Sequence, residues 1–217
     1  MGAAMDPELV RIGAQGLAGE LRWQPGSLGM VVFAHGSGNS HVCSRNRHVA
    51  GILQGYRLST LLLELLTEHE ASDPQRVSDI GLLASRLIQA TDWLRAQSRQ
   101  PGLPVGIFCA RTGAAAAFQA AALSPSRISA IVSRSGRLDL ATDALARVQA
   151  PSLLIVGGDD SEGLRLNRLA LRLLTCRKRL EVVPGVSHRF EGAGTLDAVS
   201  HLAGVWFRTH LTSGPRP

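Results

Sequence analysis

Three loops of the sequence carry residue types that can do chemistry together. VVPGVSHRFE holds His188, LLIVGGDD holds Asp160 beside Asp159, and IFCARTGAAAA holds Arg111 at a turn between an apolar run and an alanine-rich run. A serine-type hydrolase on an open sheet needs a nucleophile, then an acid, then a His, in that chain order. The acid orients the imidazole tautomer and stabilises its protonated form. Asp160 and His188 stand in the right order for acid and base. The nucleophile belongs on a strained turn flanked two residues either side by small residues, where the general pattern is Gly-x-Ser-x-Gly. Cys109 and Gly113 are small enough for that turn, but its apex is Arg111, which is not a nucleophile.

An oxyanion needs backbone N–H donors. Thr112 follows the apex and supplies one; the loop of FAHGSG around Ser37 supplies the other. Each motif alone has a plainer reading: GGDD as a helix-capping turn, HGSG as a flexible loop, a lone His before Phe as a surface or packing residue. It is their order, each just after an apolar strand-like run, that makes them a candidate site.

Three routes are open to a site with Arg at the apex. Another side chain replaces the nucleophile: Cys109, which should point into the sheet–helix packing as a small hydrophobe, or Ser135, or Ser37. Alternatively, His188 oriented by Asp160 activates a water while Arg111 holds a carboxylate or polarises a carbonyl. Finally, catalysis is lost and the site binds an anion. Arg carries five forked donors and stays charged, and Arg45, Arg47, Arg134 and Arg137 lie on loops at the same expected sheet edge. Arg45, Arg111 and Arg134 are the expected anion-binding set; the bland version has Arg111 pairing with Asp160 and blocking the site.

The elements that must hold these loops alternate. ELVRIGA and LAGELRW read as an antiparallel entry hairpin around Gly16. GMVVFAHGSG, LSTLLLELL, LPVGIFC, RISAIVS, APSLLIVGG and RLEVVP read as buried strands. Between them come a helix at 44–54 stopped by a left-handed Gly55, and one helix from Asp73 (N-cap) and Pro74 onward. After these come TGAAAAFQAAAL, a helix with Leu166, Leu169, Ala170, Leu173 and Leu174 on one face, and a last helix capped by Thr195. The alternation predicts a mostly parallel sheet of about eight strands covered on both faces, in a single domain spanning residues 1–217. Residues 1–8 read as a disordered tail or a cloning remnant, with a natural N-terminus equally open. The connection between the strands at 128–133 and 152–157 is too short for a large lid, so the site is expected to be open, with walls from Leu138 to Leu145 and from Phe190.

Composition excludes several classes. Three widely spaced Cys are neither a disulfide framework nor a zinc pattern, which fits a reducing cytoplasm. No run is long enough to cross a bilayer and the N-terminus has no signal-peptide pattern. Net charge is +6, almost wholly from Arg, but the Arg residues are scattered and aromatics are only 4%, which argues for a GC-rich, bacterial codon bias over nucleic-acid binding.

Taken together, VVFAHGSGNS with SRNRHVA, CARTGAAAA, VSRSGRLDL, LLIVGGDD and VPGVSHRFEGAGTL resemble the alpha/beta-hydrolase superfamily, and most of all its small lidless dienelactone-hydrolase-like branch. The resemblance implies a compact carboxylic-ester or lactone hydrolase with no metal and no organic cofactor. Its partner would be a small-molecule ester, lactone or anion, with no nucleic acid and no membrane. Asp160 and His188 match the acid and base positions, and Ser37 and Thr112 the oxyanion loops. Arg111 departs from the family's Ser or Cys, so the expectation divides. One branch is a hydrolase with a degenerate elbow; the other is a catalytically silent relative holding phosphate or carboxylate in the former active site.

Overall fold

The structure is a computed structural model describing residues 6–35, 44–96 and 102–211. Eight strands form one sheet: β1 (Glu8–Ile12), β2 (Leu17–Arg22), β3 (Gly29–His35), β4 (Leu58–Glu64), β5 (Val105–Arg111), β6 (Ala130–Gly136), β7 (Ser152–Gly157) and β8 (Lys178–Val183). Their spatial order is β1-β2-β4-β3-β5-β6-β7-β8. β1 and β2 form the antiparallel entry hairpin, β2 runs antiparallel to β4, and every later pair is parallel.

The strands read as near-continuous apolar runs because both faces are covered. Alternate residues leave on opposite sides. Met30, Val32 and Ile107 belong to the core cluster on the face covered by α4 (Ile80–Ala96) and α5 (Thr112–Leu123). Val31, Phe33, Phe108 and Ile155 pack under α1 (Ser44–Gln54) and α8 (Thr195–His210). Parallel order puts the carboxyl ends of β3 and β5 to β8 along one edge, where ligands bind in such sheets. Between β6 and β7 lie only a 3-10 turn (Leu138–Ala141) and a short helix (Thr142–Leu145), so no large lid is inserted there. Among the described residues no helix is long and apolar enough to cross a membrane.

Four local expectations need correction. The helix from Asp73 is two helices, Pro74–Ser78 and α4, because Asp79 turns extended (φ −78°, ψ 91°) and its carboxylate accepts from the N–H of Leu82. The left-handed residue after α1 is Arg57 (φ 62°), not Gly55; Arg57 Nη2 reaches the carbonyl of Gly26, which holds it there. The cap of α8 is Gly194 (φ 73°), with Thr195 the first helical residue, donating to the carbonyls of Phe190 and Gly192. In α7 (Ser161–Leu173) the expected apolar face is split. Ala170 is buried, but Leu169 and Leu173 are 43% and 42% exposed. α7 packs mainly on β7 and β8, with a smaller contact on β6, at the edge of the sheet, which shelters a narrow stripe of it.

Candidate functional site

β5 runs into α5 with no intervening loop, so the turn between them is forced onto one residue. That residue is Arg111, at φ 52° and ψ −128°, and no side chain caps the helix behind it. The left-handed region is costly for a non-glycine residue, by about 1–2 kcal/mol. The turn is held from outside. Cys109 and Gly113 are buried beneath it, and the carbonyl of Arg111 accepts from the N–H of Arg137 at 3.0 Å. Opposite, the β5–β6 register slips: Ala110 pairs with Arg134 and Arg111 with Gly136, leaving Ser135 as the extra residue at φ 44°. Two strained residues therefore face one another across a bulge, the kind of feature that collects at functional sites.

Arg111 is exposed, and among the described residues nothing accepts its guanidinium: it makes no ion pair with Asp160. It opens onto a cleft of about 410 Å³, whose walls include Ser135, Arg137, Asp160, Arg165 and His188. The structure thus brings Arg111, Asp160 and His188 to one cleft, as their chain order predicts. It does not join acid to base. Asp160 is the N-cap of α7, with Oδ1 accepting from the N–H of Gly163 at 3.0 Å, and no hydrogen bond links it to His188, which is exposed. The plainer reading of GGDD as a capping turn describes its geometry here. Thr112 is half-buried at the first turn of α5. Ser37 lies outside the described residues.

The other expected cations are elsewhere. Arg45 donates to the carbonyl of Arg189 at 2.7 Å and pairs with Glu191 at 3.5 Å. Arg134 lies over the Phe190 ring, 5.7 Å from its centroid. Arg47 is paired with the buried Glu20 at 3.0 Å. None of the three lines the cleft. Arg137 does, forked on Asp139, and so does Arg165, forked on Glu162. These guanidiniums hold the Asp139 and Glu162 carboxyls below the usual carboxylate range, so both stay anionic at neutral pH. Glu162 and Arg165 went unrecognised in the sequence, where the only signal was their i, i+3 spacing; Asp139 lies in the segment expected to wall the site. Of the expected walls, the segment from Leu138 to Leu145 contributes Asp139 to the cleft, whereas Leu138 and Phe190 are buried in the packing beneath.

Two alternative nucleophiles can be placed. Cys109 is 1% exposed, its thiol donates to the carbonyl of Val132, and burial pushes its pKa well up, so it stays protonated. Iodoacetamide should leave Cys109 unmodified in the native protein and label it only after denaturation; mass mapping of the alkylated peptide checks this. Ser135 faces the cleft with a buried Oγ that has no hydrogen-bond partner, hence no base to activate it. Among the described residues no group of three His, Cys, Asp or Glu is placed to hold a metal ion.

The strand order, the helices on both faces and the strained strand-to-helix turn define an alpha/beta-hydrolase fold. No family model matches the chain. A dienelactone hydrolase from Anabaena variabilis is 46% identical, with TM-score 0.88, covering 95% of this chain and 99% of that one. The chain belongs to the family of that dienelactone hydrolase. Two Mycobacterium tuberculosis proteins, each called "Putative phosphoribosyl transferase", are 49% identical over 221 residues, covering 99% of this chain and 50% of theirs. The chain therefore spans about half the length of the curated relatives it matches. Est1E from Butyrivibrio proteoclasticus, at 12% identity and TM-score 0.73, shares the fold alone.

Proposed function

We propose that the protein binds a small phosphate- or carboxylate-bearing molecule in the cleft of its hydrolase fold, without nucleophilic catalysis. The observation that carries this is the Arg111 guanidinium. It stands without a partner among the described residues, at the uncapped N-terminus of the 12-residue α5, where the nucleophile would be. A helix N-terminus presents free N–H groups and about half a positive charge to an anion, and Arg adds a forked donor. The Arg137–Asp139 and Arg165–Glu162 pairs offer both donors and acceptors to a hydroxylated ligand. A volume of about 410 Å³ suits a small metabolite. The name carried by the mycobacterial relatives refers to a phosphorylated sugar, and this favours phosphate over carboxylate as the anion.

The family's reaction is ester or lactone hydrolysis, and it supplies the second reading: the elbow backbone and His188 are still in place, while the acid–base hydrogen bond and the nucleophile are not. Melting curves separate the two. Inorganic phosphate or a pentose phosphate at about a hundred times Kd should stabilise the protein by about 2.7 kcal/mol, a rise of about 5–10 °C for a chain of this size. Arg111→Ala should abolish that rise. A native protein that ignores phosphate but hydrolyses p-nitrophenyl acetate would reverse the order of the two readings.

A further inference from the structure

The outer face of α7 is not an ordinary solvated face. Its exposed residues Arg165, Arg168, Leu169, Arg172 and Leu173 fall at i, i+3, i+4, i+7 and i+8, a single continuous stripe. The inner side is anchored by the buried Asn167 and Ala170. Arg165 is held by Glu162. Among the described residues no acid or carbonyl holds Arg168 or Arg172. A groove of about 480 Å³ runs along the stripe, with Leu164, Arg168, Leu169 and Arg172 among its walls.

Charge is concentrated here, against the scatter suggested by the linear sequence. Between Ser161 and Val183 six cations stand against Glu162 and Glu181, an excess of four within a chain of net charge +6. Part of this has a plain explanation. β8 is an edge strand, and the cations at its start, Lys178 and Arg179, discourage edge-to-edge pairing. That does not account for leucines set between arginines on a helix, where exposure of each apolar side chain to water brings no benefit.

We propose that the outer stripe of α7 docks an acidic amphipathic segment of another protein unit. Its carboxylates would meet Arg168 and Arg172, and an apolar side chain would enter the groove beside Leu164 and Leu169. Other occupants fit less well. A second copy on the same patch would set like charges against each other. A bilayer surface leaves a groove unfilled. A nucleic acid would bring phosphates against leucines and finds no aromatic residue on the stripe for its bases to stack on. The curated relatives are about twice as long as this chain, so in them a comparable length of further polypeptide is joined to the part that matches it. Arg165 borders both sites, but Arg168, Leu169 and Arg172, which carry the inference, do not line the cleft, so it stands whatever the cleft binds.

The test uses the full chain, with fluorescence anisotropy of a labelled synthetic helix bearing Glu and Leu on adjoining faces, at physiological salt. The expected result is saturable binding that weakens about tenfold or more in Arg168→Glu/Arg172→Glu, and several-fold in Leu169→Ser/Leu173→Ser. Both double variants should keep melting temperatures near the native value, because the altered side chains are exposed. Three results overturn the proposal: no binding of the helix; equal binding of polyglutamate, which lacks the apolar side chains; or retention on phosphatidylserine vesicles or duplex DNA that the helix does not match.

Discussion

Arg111→Ser is expected to turn a silent protein into a weak esterase. With p-nitrophenyl acetate the native protein should not rise above buffer, whereas Arg111→Ser should exceed it on the order of 10²-fold, and Arg111→Ser combined with His188→Ala should fall back. The reasoning starts from the backbone. The apex residue already holds φ 52° and ψ −128°. Buried Cys109 and Gly113 and the Arg137 N–H keep it there whatever its side chain. A hydroxyl at that apex would stand before the N–H groups of α5, in the cleft that His188 also lines. Loss of a nucleophile costs about 10⁶ in the subtilisin series; only a fraction should return here, because Asp160 is committed to the N–H of Gly163 rather than to the imidazole. If Arg111→Ser is no faster than native, the capping geometry of Asp160 has shut the site down independently of Arg111. If the native protein turns over as fast as the variant, the base or nucleophile lies elsewhere in the cleft.

Gly157→Ala should damage both stability and site, by about 3 kcal/mol in urea unfolding. Gly157 ends β7, and the His188 loop crosses directly over it. A Cβ there would lie 2.1 Å from the carbonyl oxygen of Val186 and 2.7 Å from that of Ser187. Both obstacles are backbone, so the segment bearing His188 has to move. Two hydrogen bonds that tie the loop to β7 are then put at risk: Gly158 N–H to Val183 O at 2.8 Å and Asp159 N–H to Val186 O at 3.0 Å. Gly185→Ala on the same loop is the control. Its φ of 66° makes an added Cβ unfavourable, but nothing lies within 4 Å, so the cost should stay near 1 kcal/mol. If Gly157→Ala is no worse than Gly185→Ala, the loop is looser over β7 than these contacts imply. The phosphate response should fall in Gly157→Ala and persist in Gly185→Ala.

The shared cleft for Arg111, Asp160 and His188 was legible from chain order, because in a parallel sheet each strand's end is a fixed place on one edge. Which cations enter that cleft was not. Arg45, Arg134 and Arg137 all sit near strand ends in the sequence. Only the fold turns Arg134 over Phe190 and Arg45 toward Arg189, while bringing Arg165 in from the first turns of α7.

The sequence by itself determined the sheet and its covering helices. Strand and helix periods are local, and an apolar run flanked by glycine and proline admits few other packings. It also determined that the apex residue is a cation, since identity at a forced turn needs no tertiary information. Only the tertiary structure decided what those residues face. The carboxylate of Asp160 had two candidate partners, the N–H of Gly163 three residues on and an imidazole from a distant loop, and spacing along the chain does not rank them. The leucines of α7 had two faces to choose from, and how much of the sheet α7 covers set which side met water. Both are choices among neighbours that become neighbours only when the chain is folded.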